Sequence, residues 1–439
     1  MEILLYLGGI LFMLVGLGVS IGLHEVGHLV PAKLFGVRVG QYMIGFGPRL
    51  WSKRIGETEY GFKVLPVGGF ISMSGMYPPS TKTGPAKGVF ATLVQDARTA
   101  NDETIAEGEE ERVFYRLPVW KRVIVMLGGP VMNLVLAVLL FTLMASGIGI
   151  QQASTTVASV SECMIPATAA QQQTCAADDP AAPAAEAGFE PGDRLVSMDG
   201  EPVATFAAAS QIIQDSPGRT LEVVVERKGE DVTLQLTPVA AQRQQTDAQG
   251  RPVTDKGGKP VTHSVGYAGI TAQLEYAHQP IWTGAQMTWQ QVGGVTNLII
   301  QLPQKLWNVG ESLITGSQRD PNGPLSVVGV GRIAGEVAAT NAPVLDRLAV
   351  LLNLLAALNV ALFVFNLIPL LPLDGGHIVV ALWEGIKRLW AKVTGRPEPA
   401  PVDATRLVPV TVVVAVLLIA MGALLIIADI IRPMNLLGG

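Results

Sequence analysis

The stretch from Leu11 to Ala32, LFMLVGLGVSIGLHEVGHLVPA, joins two chemistries without a linker. From Leu4 to Leu23 no residue carries a charge, which suits a segment lying in lipid. His24, Glu25 and His28 follow at once. Ionisable groups at membrane depth are costly and as a rule serve a function. The spacing matches H-E-x-x-H. On a helix, residues four apart share a face, so both imidazoles reach one ion, while Glu25 points in a neighbouring direction and can act on a water without binding the metal. Zinc fits the nitrogen ligands, and a third protein ligand leaves one position open for that water. The bland reading, two histidines that cap or pack a helix end, explains neither the glutamate nor its location.

Composition agrees with a membrane setting. Of 439 residues, 49% are hydrophobic and only 15% charged, against about 25% in soluble domains. Mean hydropathy is +0.39. The formal net charge of −5 shows no basic excess, so no nucleic-acid partner is expected. Four uncharged runs reach spanning length: Leu4–Leu23, Val123–Ile150, Leu348–Leu373 and Leu407–Ala428. Pro369 and Pro372 predict that the end of the third is not regular helix. The first reads as a retained span, because it lacks a basic leading region and cleavage after it would discard the motif.

Lys33, Arg38, Arg116, Lys121 and Arg122 lie between the first and second runs, and Lys387, Arg388, Lys392, Arg396 and Arg406 between the third and fourth. This bias predicts that those two connections are cytoplasmic, with both termini and the long middle segment outside. The expected organisation is a first span in 1–32, a cytoplasmic segment in 33–118 and a second span in 119–150. An extracytosolic domain then fills 151–279, an interfacial amphipathic segment 280–347 and a third span 348–376. A cytoplasmic loop (377–406) and a fourth span (407–431) complete it.

Within the first connection, GETEYGFKVLPVGGFISMSG (56–75) alternates polar and apolar residues and predicts a small β-hairpin or sheet, while 78–112 reads as a mobile loop. In the middle segment, GFEPGDRLVSMDGEPV predicts a turn, a short strand and a turn, and TFAAASQIIQDSPG an amphipathic helix. RTLEVVVERKGEDVTLQLTPV predicts two strands joined at Lys228–Asp231, and VGYAGITAQL a last strand. Residues 240–265 read as a flexible insertion. Cys163 and Cys175 are the only cysteines and fit no metal spacing; they read either as a disulfide or as two unpaired thiols.

The third ligand has to come from elsewhere. Asp374, in FNLIPLLPLDGGH, is the first charged residue after 26 uncharged ones and reaches the same membrane edge as His24 and His28. Alone it reads as an ordinary helix-ending charge; the shared edge favours a ligand. Asn366 and Asn133 could donate to an extended substrate backbone or a developing oxyanion, or simply tie helices together. His377 reads as a supporting neighbour of Asp374 rather than a ligand.

Together, His24-Glu25-x-x-His28, Gly128-Gly129-Pro130-x-x-Asn133 and Asn366-x-x-Pro369-x-x-Pro372-Leu373-Asp374-Gly375-Gly376 resemble the site-2 protease family, in its bacterial RseP-like branch. The resemblance implies zinc bound by His24, His28 and Asp374, with Glu25 activating water. It implies that GFKVLPVGGF, with Gly68, Gly69 and Phe70, forms a membrane-associated β-hairpin that meets substrate. GFEPGDRLVSMDG resembles the core of bacterial PDZ domains, and the chain has room for about one such unit. The expected fold is a polytopic α-helical membrane protein with about four transmembrane helices, a membrane-associated β-hairpin and an extracytosolic α+β PDZ domain. The expected function is zinc-dependent cleavage of single-span membrane proteins, anti-sigma factors among them, in the lipid bilayer of a bacterial inner membrane. Two rivals are a metal transporter, disfavoured by spans with few ionisable groups away from that edge, and an inactive PDZ scaffold, disfavoured because ligands and base are all present.

Overall fold

A computed structural model describes residues 2–78, 89–105, 108–164, 175, 179–244, 261–320 and 322–433. In chain order the elements begin with α1 (Glu2–Leu34), β1 (Val39–Ile55), β2 (Thr58–Met73), α2 (Val89–Asp102) and α3 (Val119–Thr142), the last continued by a π-helical turn to Ile148. There follow β3 (Ile150–Val160), α4 (Pro183–Glu186), β4 (Arg194–Met198), β5 (Glu201–Pro202), α5 (Phe206–Gln214), β6 (Leu221–Arg227) and β7 (Glu230–Leu236). Then come β8 (Val239–Gln244), β9 (Thr262–Tyr267), β10 (Ile270–Ala277), α6 (Thr283–Ile300), α7 (Leu302–Thr315) and α8 (Val327–Ala339). The chain closes with α9 (Val344–Asn366), α10 (Asp374–Val393) and α11 (Val408–Ile431). Two compact units result, one of residues 1–148 and 280–439, the other of 149–279.

In the first unit, four helices among the described residues are long and apolar enough to cross a membrane: Glu2–Leu34, Val119–Ile148, Val344–Asn366 and Ala404–Ile431. A helix pairs most of its backbone groups within itself, which lipid requires, and the internal prolines Pro31 and Pro130 each remove one such bond. α1 and α3 cross where Gly27 meets Gly128. A Cβ on Gly128 would stand 1.9 Å from the Gly27 carbonyl oxygen, so only glycine permits this approach. Below the crossing, Leu29, Ala32, Val37, Val39, Phe114, Val125 and Met126 form a buried cluster that seats the hairpin base against both helices. On α1's other flank, Met13 packs with Ile333, Val337, Leu351 and Leu355 of α8 and α9.

The hairpin is longer than the expected 56–75. Its first strand starts at Val39, and the turn falls between Ile55 and Thr58. Repeated register shifts between Val39 and Trp51 mark bulges, which bend and twist the ribbon. The Tyr42 hydroxyl donates to the Gly22 carbonyl at 2.8 Å and pins the ribbon to α1. In the segment read as a mobile loop, 79–88 and 106–107 lie outside the described residues, but Val89–Asp102 is helical.

The third span stops at Asn366. Residues 367–373 turn, as Pro369 and Pro372 predict, and Asp374 opens a separate helix. Residues 377–406, expected as a loop, thus contain most of α10. A loop assignment missed it because its apolar residues recur at helical spacing between charges, too sparsely to read as a span. Glu384 of α10 takes two hydrogen bonds from the Arg122 guanidinium of α3, at 2.7 and 3.1 Å, and both side chains are buried. Such a pair holds two elements in one register, because separating it would strand charges in a dry interface.

The second unit is built on a sheet in the order β10-β3-β4-β6-β7, with β5 beside β4. Leu195, Met198, Leu221, Val223, Val225 and Leu236 are fully buried in one core, and along β6 Leu221, Val223 and Val225 alternate with more exposed neighbours, on the two strands that RTLEVVVERKGEDVTLQLTPV predicts. Lys228 and Gly229, both at positive φ, make the tight turn between β6 and β7. Thr205 caps α5 by accepting from the Ala208 N–H. The expected last strand is two, β9 and β10, parted at Ala268 and Gly269, and β9 pairs with β8 instead of joining the main sheet. Of the expected insertion, 245–260 lies outside the described residues. Cys163 and Cys175 form a disulfide.

Candidate metal centre

α1, the first span, carries His24 and His28 one turn apart, and their Nε2 atoms stand 3.2 Å from each other. Asp374, the first residue of α10, brings Oδ2 to 3.4 Å from each of those nitrogens. Three donors of ordinary ligand type thus converge from two elements far apart in the chain. Donors at zinc-ligand length around a tetrahedral centre stand roughly 3.3–3.4 Å apart, so the observed triangle has the size of a zinc site. The polar bookkeeping agrees. Oδ2 of Asp374 is buried without a hydrogen-bond partner among the described residues, a costly arrangement unless a cation satisfies it. The donor set of two nitrogens and one carboxylate oxygen suits zinc.

The tautomer of His28 is settled by its other side. Nδ1 donates to the Val125 carbonyl at 2.7 Å, leaving the Nε2 lone pair toward His24 and Asp374. That carbonyl is offered because α3 crosses α1 so closely. Gly129 lies against the same ring, and a Cβ there would stand 2.2 Å from Nε2. Neither feature is readable one residue at a time: a backbone acceptor has no sequence signature, and Gly129 stands out only within GGPVMN.

Glu25 is buried beside this triangle. It lines a cavity of about 330 Å³ together with His24, Gly68, Gly69, Asn133 and Asn366. Gly69 of β2 packs on Glu25. A Cβ added to this glycine would stand 2.9 Å from Cγ and 3.2 Å from Oε1, so the ribbon backbone runs directly past the carboxylate. Asn133 is fully buried, and neither Oδ1 nor Nδ2 has a partner among the described residues. Asn366 differs: its Nδ2 already donates to the Leu362 carbonyl at 3.0 Å. Phe70 is not among the residues lining the cavity; the Lys63 ammonium sits over its ring, 4.5 Å from the centroid. His377 is close to Tyr77, ring centroids 6.4 Å apart, and is no part of the donor triangle.

Comparison with known proteins agrees with this geometry. The family model described as Peptidase family M50 matches residues 12–396. The chain is 32% identical over 439 residues to the zinc metalloprotease Rip1 of Mycobacterium tuberculosis, covering 99% of this chain and all of that protein. It is 31% identical over 442 residues to zinc metalloprotease Rip1 of Mycolicibacterium smegmatis, with 98% of each chain covered. Four spanning-length helices, a three-donor centre beside a glutamate, and a family match over most of the length place the chain in peptidase family M50, the site-2 proteases, as a multi-pass membrane zinc metalloprotease.

Proposed function

We propose that this chain is an intramembrane endopeptidase that cuts within the transmembrane segments of single-span proteins. His24, His28 and Asp374 hold the zinc, and Glu25 is the general base. The observation that carries the reading is the placement of that triangle: two donors come from the last third of the first span and one from the start of the helix that follows the third, next to a cavity walled by span residues such as Leu17, Ile21 and Leu362.

Zinc, when bound, polarises the scissile carbonyl and brings the pKa of water to about 7. Glu25 accepts the proton of the attacking water at its carboxylate and returns it to the leaving amine. A helical amide is shielded by its own hydrogen bonds, so the substrate has to be extended at the cut. Gly68 and Gly69 present backbone next to Glu25, where an extended substrate segment can add as a strand. Asn133, with both amide atoms unpartnered, serves as donor to the substrate backbone or the oxyanion; Asn366 does so only by giving up its helical acceptor. Phe70 supports the strand from outside the cavity.

The second unit, on this reading, is a single extracytosolic PDZ domain that admits substrates already trimmed on that side. The positive-inside bias puts both termini outside and the zinc centre near the cytoplasmic edge of a bacterial inner membrane. Anti-sigma factors are the substrate class the resemblance favours.

Purified protein with a fluorescent single-span substrate tests the core of this. Cleavage should require zinc and should vanish in Glu25→Gln while zinc stays bound. Equal cleavage by that variant would overturn the role of Glu25, and cleavage of soluble peptides alone would overturn the intramembrane reading.

A further inference from the structure

We propose that α10 is a membrane-surface helix, its outward face bedded in the headgroup region of a bilayer that contains anionic lipid. Leu382, Trp383, Ile386, Leu389, Trp390 and Val393 are all exposed, from 48% for Leu382 to 75% for Val393. At about 100° per residue they fall within an arc of roughly 120°. Ala381, Glu384 and Ala391 are buried on the opposite side, where Glu384 meets Arg122 of α3. The apolar arc is therefore no by-product of a loosely packed core; the core-facing side of this helix is already occupied. An exposed stripe of this size with two tryptophans is not left to water in a folded protein.

Its place in the chain names the occupant. Asp374, the first residue of α10, stands beside His24 and His28 in the last third of α1. Seven residues separate α10 from the span before it, 367–373, and ten from the span after it, 394–403. With no span between them, both connections attach to the same membrane face, so α10 lies on that side, and Glu384 ties its middle to Arg122 in the first turn of the second span. Lys387 and Lys392 fall on the two borders of the apolar arc, where their ammonium groups reach the phosphate level while their stems lie along the stripe. Arg388 is committed elsewhere, to Glu384 at 2.8 Å. Tryptophan rings at the interface and basic residues at its edge match a surface bearing negative headgroups. Because Asp374 begins this helix, the bilayer would help set the position of a zinc ligand. The proposal itself concerns the surface and does not depend on which residue is the base.

Full-length protein in nanodiscs of phosphatidylcholine with phosphatidylglycerol tests it. A nitroxide is placed on a single introduced cysteine, Ile386→Cys, Leu389→Cys or Lys392→Cys in turn. Electron paramagnetic resonance then compares collisions with oxygen, which concentrates in lipid, and with a water-soluble nickel chelate. Oxygen should dominate at positions 386 and 389, with a shift toward nickel at 392. Lys387→Glu combined with Lys392→Glu should reduce the oxygen excess at position 389, as should discs of phosphatidylcholine alone. Nickel dominance at 386 and 389 would mean a water-facing helix and overturn the proposal. Protection from both probes would put a protein surface there, a second copy of this chain included, and overturn it equally. A depth indifferent to phosphatidylglycerol would overturn the anionic part.

Discussion

The first and last spans are made of similar residues and held in opposite ways. In the most apolar window of α1, 22% of residues are buried inside the protein, against 6% for the span that contains α11. α1 is crossed by α3 at a glycine contact, flanked by α8, and pinned by the hairpin through Tyr42. α11 is held chiefly near its ends. At one end the Arg98 guanidinium of α2 contacts Asp403 at 2.7 Å and the Thr405 hydroxyl at 3.1 Å. At the other, Asp429 pairs with Arg319 and accepts from the Ser326 N–H at 2.7 Å, both charged side chains being buried. Between the clamps, α11 borders a largely apolar cavity of about 870 Å³ whose other wall includes Ile10 and Met13 of α1. Leu17 and Val327 line both this cavity and the one that reaches Glu25. A helix that presents metal ligands needs its register fixed along its length, because a misplacement of about 1 Å at a catalytic group is enough to lose about a hundredfold in rate. A helix that only closes a wall needs its ends tied.

Four experiments can break or sharpen that contrast. The largest effect is expected from His28→Ala or Asp374→Ala, which should lower zinc occupancy and cut proteolysis by at least about 10³-fold. Metal analysis and substrate cleavage check it, and retention of both by Asp374→Ala would remove that residue from the ligand set. Next, Gly128→Leu should destabilise the first unit by several kcal/mol, on the order of 3 or more, because backbone carbonyl contact leaves no room for a side chain. Gly422→Leu on α11, where an added Cβ would meet no atom within 4 Å, should be nearly neutral. Comparable losses of thermal stability at both sites would dissolve the difference between the spans.

Two buried charge pairs provide a finer comparison. Glu384→Gln should weaken zinc binding by about 10-fold in a chelator competition, since it loosens the helix that begins with Asp374. Asp429→Asn should leave zinc affinity unchanged while raising hydrogen exchange along α11. If Asp429→Asn lowers zinc affinity as much, α11 is coupled to the metal corner after all.

The smallest effect concerns pH. Burial works against ionisation of Asp403, but hydrogen bonds from Thr405 and Arg98 outweigh it and hold its pKa below the ordinary value. A carboxylate depressed on folding contributes stability that is complete above its unfolded pKa, about 3.9, and is lost as pH falls through the folded value. Protection from exchange at the start of α11, taken relative to the intrinsic rate at each pH, should therefore fall as pH drops below about 4, and Asp403→Asn should remove that loss. Unchanged protection through that window would show that the clamp at this end does not hold the helix.

Much of this was legible in short segments. Runs of some twenty uncharged residues announce spans whatever surrounds them, because lipid demands length and apolarity and nothing subtler. The i, i+4 spacing of His24 and His28 specifies a shared face, and the prolines of the third run announce its break. The two alternating strands around Lys228 and Gly229 were equally plain, since the pattern has period two and the turn its own residues. The first hairpin strand was missed because its bulges destroy that period, and α10 because a helix with one lipid-like face and one buried charge reads as a charged loop.

By itself, then, the sequence determined the spans, the motif and the chemistry that could be done with it, all consequences of local periodicity and side-chain type. Tertiary structure alone decided that Oδ2 of Asp374 lands 3.4 Å from both imidazoles, that the Val125 carbonyl orients His28, and that Gly69 rather than Phe70 meets Glu25. Those outcomes depend on how closely two backbones pass and on which groups are left facing each other. Distance between segments remote in the chain has no local signature; packing of the whole unit sets it.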